Sequence, residues 1–225
     1  MKSYQLKITL LDSDPLIWRR VIMPAGATFN RLHDVIQNIT NFQSGYPHDF
    51  YHLFQFEIPQ GNLVVTNDLQ EYEENKLVKK EYKNVALDEN NDPFGVIAKH
   101  LKTTVRQPQT IKIDKYIEKY GKLDYVYDFG DHWEFEIVLE EIVDDYYYGY
   151  PSLIDGAETA PPEDVGGIPG YYDFLEIIHD EKHPDHQAMK TWAEEQKYRA
   201  YDKDWTNRML KGIKYKKTEW DKING

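Results

Sequence analysis

The residues with the most to offer chemically lie in three blocks of a 225-residue chain that has no cysteine. The first is Tyr125-Val126-Tyr127-Asp128-Phe129-Gly130-Asp131-His132-Trp133, which sets two carboxylates beside an imidazole and an indole. The second is Pro161-Pro162-Glu163-Asp164-Val165-Gly166-Gly167. Two prolines stiffen its approach and two glycines admit unusual backbone angles, so it can hold Glu163 and Asp164 rigidly. The third, His179-Asp180-Glu181-Lys182-His183-Pro184-Asp185-His186, mixes histidines with carboxylates, the donor set of a metal site. Its spacing fits no established ligand motif, and Pro184 breaks any single helical face. Asp128, Asp131, Glu163, Asp164 and His186, if they meet in one cleft, could hold a hard cation or move protons.

Each block also has a plainer reading. A two-residue Gly130-Asp131 loop between alternating runs is a hairpin signal. It would set Asp128 opposite Trp133 on an apolar face, where a carboxylate must be paired. Backbone amides, or an arginine such as Arg19 or Arg20, could supply the partner. Glu163 and Asp164 could shape a turn or cap a helix, and Asp185 could be an N-cap.

What is missing narrows the chemistry. There is no Gly-x-Ser-x-Gly elbow and no His-Glu-x-x-His, and no Gly-Lys-Ser/Thr follows Gly166-Gly167. Thiolate sites and disulfides are excluded. The net charge is -12. From Asp124 to Glu181, 17 acidic residues occur with no Lys or Arg, whereas Lys197–Lys222 carries nine basic and four acidic residues. The acidic excess disfavours nucleic acid, which needs Lys and Arg against its phosphates. Lys211, Lys214, Lys216 and Lys217 in the tail read more simply as a solvated face.

The elements that must position these blocks follow from periodicity. Tyr4, Leu6, Ile8 and Leu10 alternate with polar residues, so 4–11 is a half-buried strand, and 16–23 reads as its hairpin partner. Thr28 caps a helix over about 29–40 on the spacing of Phe29, Leu32, Ile36 and Ile39. Gly45-Tyr46-Pro47 is a break, and strands are expected at 50–58 and 62–66. Residues 67–93, highly charged and weakly periodic, read as an exposed excursion that is in part helix. A short helix follows Asp114 and stops at Gly121. Residues 123–129 and 132–143 form the clearest hairpin, 144–170 a long loop, and three helices follow. The last two are capped by Asp185 and Asp202. The expected fold class is therefore α+β: one domain over 1–225, a mostly antiparallel sheet packed against helices, with a helical C-terminal third.

The three blocks, with Ile17-Trp18-Arg19-Arg20-Val21, Leu32-His33-Asp34-Val35-Ile36-Gln37, Gly170-Tyr171 and Trp192, occur in an order that resembles the plasmid ORF-three-like family, named from a Ri plasmid. The resemblance runs from about Tyr4 to Ile213. It implies a mixed α and β fold, relatives carried as passengers of insertion elements, and no established activity. Some relatives bear a resolvase-like label. That label fits poorly here, since arginine is scarce and the motif-rich region has none. Relatives often carry His where this chain has Phe54 and Phe135, and Cys near Leu153, Ala160 and Val165. Metal sites built on those residues therefore do not transfer. Two phenylalanines replacing two histidines suggest positions that pack together.

The expected functional surface comprises Asp128, Asp131, His132, Trp133, Glu163, Asp164, Tyr171 and His186, edged by Tyr146, Tyr147, Tyr148 and Tyr150. A noncatalytic binding or adaptor role toward a protein or cationic partner leads; the alternatives are a divalent-cation-dependent hydrolase and a nucleic-acid-associated protein of mobile-element type. The sequence assigns no catalytic residue, metal ligand or cofactor. It has no apolar leader and no span of about 18 apolar residues, so a cytoplasmic protein without membrane contact is expected.

Overall fold

The computed structural model describes residues 1–46, 52–218 and 221. Among the described residues, eight strands form one sheet: β1 (Ser3–Leu10), β2 (Trp18–Pro24), β3 (Phe54–Ile58), β4 (Leu63–Thr66), β5 (Thr104–Arg106), β6 (Lys122–Tyr127), β7 (Trp133–Val143) and β8 (Ser152–Ala157). Their order is β5-β4-β3-β6-β7-β1-β2-β8. Every neighbouring pair is antiparallel except β4 and β5. The α-helices among the described residues are α1 (Phe29–Ile39), α2 (Leu69–Glu81), α3 (Val96–Lys102), α4 (Asp114–Tyr120), α5 (Gly167–His179), α6 (His186–Glu195) and α7 (Lys203–Leu210). The α+β expectation holds. The expected strand start at 50–51, and the helical stretch beyond 218 apart from 221, lie outside the described residues.

Alternation fixes which face of the sheet is buried. Tyr4, Leu6, Ile8, Leu10, Phe54, Phe56, Ile58, Tyr125, Tyr127, Phe135 and Ile137 all lie in one core with α1 and with Tyr171, Phe174 and Leu210 of the later helices. Each large side chain so buried stabilises by roughly 1.5–3 kcal/mol, and a one-residue register slip would expose the whole set. The opposite face is polar and carries pairs such as Arg20–Glu140 (2.5 Å) and Lys122–Glu136 (2.6 Å). The core is rich in tyrosine, and each buried hydroxyl must find a partner. Tyr4 reaches Asp114 and Glu118, Tyr125 reaches His33, and Tyr127 reaches Ser44 and Glu163. Helix α1 starts where Thr28 Oγ1 accepts from the Arg31 amide (3.2 Å), and α4 stops at Gly121 in the left-handed region (φ 70°).

Two expectations change. Residues 144–170 are not one loop, because β8 lies within them and α5 begins at Gly167. β8 pairs with β2 at the sheet edge with a register shift, and only Leu153 of it is buried, so its sequence shows no clean alternation. Its outer side is met by a side chain: Asn207 Oδ1 accepts from the Leu153 amide (2.8 Å) and Asn207 Nδ2 donates to the Leu153 carbonyl (3.0 Å). Second, Asp185 precedes α6 without a side-chain capping bond, whereas Asp202 does cap α7 at the Trp205 amide. The charged excursion is in part helix, as expected: it contains α2, capped by Asp68 and anchored by buried Asn75, which donates to the His100 and Thr103 carbonyls. Tyr146–Tyr150 lies beyond the far end of β7 from the Asp128–His132 turn, beside the N-terminal amine (Met1 N to Tyr146 O, 2.7 Å). Among the described residues no helix is long and apolar enough to cross a membrane.

Candidate metal centre

The β6–β7 connection sets the first carboxylate. Tyr127 pairs with Trp133, so the turn is the five residues Asp128–His132 and not a two-residue Gly130-Asp131 loop. Asp128 (φ 51°) and His132 (φ 57°) both adopt the left-handed region that non-glycine residues rarely enter. Asp128 Oδ1 accepts from the Gly130 amide (2.9 Å), and its carbonyl accepts from the His132 amide (2.6 Å). Asp128 therefore leaves the sheet instead of facing Trp133. It is tied to a backbone amide, as one reading expected, but not to an arginine. Arg19 spends its donors on carbonyls and Arg20 pairs with Glu140.

The second loop is held by the segment after α1. Asn41 bridges to Pro162 and donates to the Ala160 carbonyl (2.7 Å). The Gln43 amide donates to Glu163 Oε2 (2.7 Å), and Tyr127 Oη lies 3.0 Å from both Glu163 oxygens and 2.7 Å from Ser44 Oγ. Glu163 is only 2% exposed. Burial pushes its carboxyl up to about 6, with Asp164 adding to the rise and the Gln43 amide, Tyr127 and His52 opposing it. Asp164 (φ 55°) stays exposed. Asp131 locks the two loops together, its Oδ2 accepting from the Gly166 amide (3.0 Å). A side chain at Gly167 (φ 71°) would sit 2.7 Å from the Asp131 carbonyl oxygen, which is why glycine stands there.

His52 brings the carboxylates to one point. It enters through pairing, because β3 and β6 run antiparallel with Phe54 opposite Tyr127, and the Asp128 amide donates to the Leu53 carbonyl (2.9 Å). His52 Nδ1 is 3.5 Å from Asp128 Oδ2. Its Nε2 is 3.7 Å from Asp164 Oδ1 and 4.0 Å from Glu163 Oε1. One ligand atom from each of the four residues lies within 4.8 Å of all the others. Ligands around a cation at about 2.0–2.2 Å are at most about 4.4 Å apart, so a few tenths of an ångström of closure would complete a shell.

The remaining expected residues do not join. His132 is exposed beside Glu134 (3.3 Å), and Trp133 is buried against Phe42. Tyr171 donates from the core to the Thr159 carbonyl (2.7 Å). His186 Nδ1 lies 3.1 Å from the Ile177 carbonyl. Sequence reasoning missed His52, Tyr127 and Ser44. The usable signal was β3–β6 pairing, which places residues 52–53 against Asp128. Phe54 and Phe135 both pack on Tyr125 (6.1 and 5.8 Å between ring centres), so the positions share a neighbour, and Phe54 stacks on buried His33 at 3.8 Å.

Comparison with known proteins agrees with this architecture. The chain is 27% identical over 189 residues to the uncharacterised protein y4hQ of Sinorhizobium fredii, covering 84% of this chain and 79% of that protein. Its fold is similar to the crystal structure of MM3350, a protein of unknown function from Methanosarcina mazei Go1. The TM-score is 0.61 and the identity 26%, over 90% of this chain and 96% of the other. Residues 2–209 match the plasmid pRiA4b ORF-3-like protein family, and the chain belongs to that family.

Proposed function

We propose that this protein binds a divalent cation through His52, Asp128, Glu163 and Asp164, and that the centre serves water-activating, hydrolase-like chemistry. The carrying observation is the convergence of one imidazole and three carboxylates from three separate segments. Three carboxylates repel one another unless a cation sits among them. Among the described residues no Lys or Arg comes within ion-pairing distance of these three, and His52 is their one basic neighbour. A single imidazole with oxygen donors suits zinc, manganese or ferrous iron better than calcium. Glu163 is sealed inside while Asp164 faces solvent, so the open side of the shell is the side water reaches. A bound cation would lower the pKa of that water and make it a nucleophile.

The test is thermal unfolding of chelator-treated protein with zinc, manganese, magnesium and calcium. A ligand at 100 times its Kd stabilises the native state by about 2.7 kcal/mol. The expected result is a zinc- or manganese-selective rise in Tm that His52→Ala removes with little change in metal-free stability. No shift with any cation defeats the reading.

A binding or adaptor role remains the second reading. It is supported by exposed Tyr147 and Tyr148 in a stretch without Lys or Arg. Pull-downs that lose a partner on Tyr147→Ala with Tyr148→Ala, while the cation response persists, would favour it.

A further inference from the structure

We propose that the chain pairs with a second copy of itself through residues 67–102, the exposed Phe94 ring of each copy seating in an apolar groove of the other. None of the residues involved belongs to the metal centre. The groove lies between strands β3–β5 and helices α2 and α3, and its volume is about 890 Å³. Leu63, Val64, Val96, Ala98 and Val105 supply its apolar lining, and Phe94 borders it.

Phe94 is the residue that asks for a partner. It is 90% exposed, more than any other large hydrophobic residue among those described. At that exposure the ring cannot fill the groove it borders. A built turn holds it outward. The Asp92 carboxylate accepts from the Ile97 and Ala98 amides (3.0 and 2.9 Å), and its carbonyl accepts from the Gly95 amide (3.1 Å). Asn75 fastens α2 to the end of α3, so the walls of the groove are joined. Leu69, Leu77 and Val96 are exposed on the same excursion. A lone exposed apolar residue is ordinary, whereas several gathered beside an apolar groove mark an interaction surface.

Charge selects a second copy as the occupant. Glu57 and Glu71 line the groove from β3 and α2, and Lys99 and Lys102 line it from α3. A partner carrying one sign would meet its own sign on one of these walls. A twofold contact sets the acidic wall of one copy against the basic wall of the other and uses ring and groove twice, so the surface is complementary to itself. Two chains of net charge -12 repel one another. Residues 67–102 carry eight acidic and six basic residues, so a contact made here adds little to that repulsion.

The experiment is sedimentation equilibrium of the full chain in chelator across the micromolar range, which keeps the metal reading out of the test. The mass should rise with concentration from the 26.7 kDa of one chain to twice that value. Phe94→Asp changes a side chain that solvent already surrounds, so it should keep the fold and weaken self-association at least about thirtyfold. Glu71→Lys and Lys99→Glu should each pair poorly alone and should pair again when mixed in equal amounts. Contacts inside one chain cannot produce that recovery, since each variant keeps two like charges of its own. A chain that stays monomeric at every concentration overturns the proposal and leaves the groove to a different partner. A dimer that Phe94→Asp leaves intact, or reversed charges that do not recover on mixing, also overturns it.

Discussion

Two regions of this molecule are rich in histidine and carboxylate, and they behave oppositely. Residues 179–186 look in sequence like a ligand cluster, yet their groups are used up on the spot. Asp180 accepts from the Lys182 amide (2.9 Å), His183 Nδ1 from the Asp185 amide (3.1 Å), and His186 Nδ1 faces the Ile177 carbonyl. Between α5 and α6 these side chains serve a turn. His52, Asp128, Glu163 and Asp164 come from segments far apart in the chain and meet at one end of the paired interior strands β3 and β6. Side chains dense in sequence are close to one another's backbone, which satisfies them first. A constellation that backbone amides cannot neutralise has to be assembled from distant pieces, and there the charge is left for a ligand.

The largest way to break this contrast is Glu163→Ala. It strands the Gln43 amide and the Tyr127 hydroxyl in a buried setting, which should cost about 3 kcal/mol in urea unfolding and abolish the cation response. Glu163→Gln can keep both contacts, so it should retain most of the stability and still lose the cation. Retained cation binding in both variants would remove Glu163 from the centre.

A smaller effect lies in the pH dependence of the metal-free protein. The Glu163 carboxyl sits at about 6 against an ordinary 4.5, so the folded chain keeps a proton that the unfolded chain releases. Its contribution to stability is present below pH 4.5 and declines as pH rises to about 6, by about 2 kcal/mol. His33 has the opposite sign. Burial lowers it to about 4 from 6.5, so stability falls as pH drops from 6.5 towards 4. Wild type measured against Glu163→Gln isolates the first slope: the difference should shrink steadily for wild type between pH 4.5 and 6. A flat difference would mean that Glu163 is not the buried acid described. The smallest expected effect is His183→Ala with His186→Ala. Both side chains are half-buried at the surface connection between α5 and α6, so stability should move by no more than about 0.5 kcal/mol, with the cation response intact. Loss of that response would reverse the contrast between the two regions.

The parts legible in the sequence are those where local rules and burial agree. The alternation of Tyr4 to Leu10, the cap at Thr28, the stop at Gly121 and the cap at Asp202 each rest on one local preference that the fold keeps. Asp128, Glu163 and Asp164 were legible as candidates because rigid loops carried them. The five-residue turn was not, since it gives Asp128 and His132 the backbone angles usually granted to glycine, with the Asp128 side chain bonding the Gly130 amide in return. Nor was β8, a short edge strand whose only buried residue is Leu153. His52 escaped because its meaning depends on which strand lies next to β3, and single-chain periodicity carries no such information.

The amide of Asn207 against Leu153 has a consequence for handling the protein. By offering one acceptor and one donor to an outermost strand, it does at a single point what a neighbouring strand would do. A chain shortened before α7 would leave β8 bare along its free side, and bare strands template one another. Such a truncation would declare itself as loss of solubility, with self-association through β8.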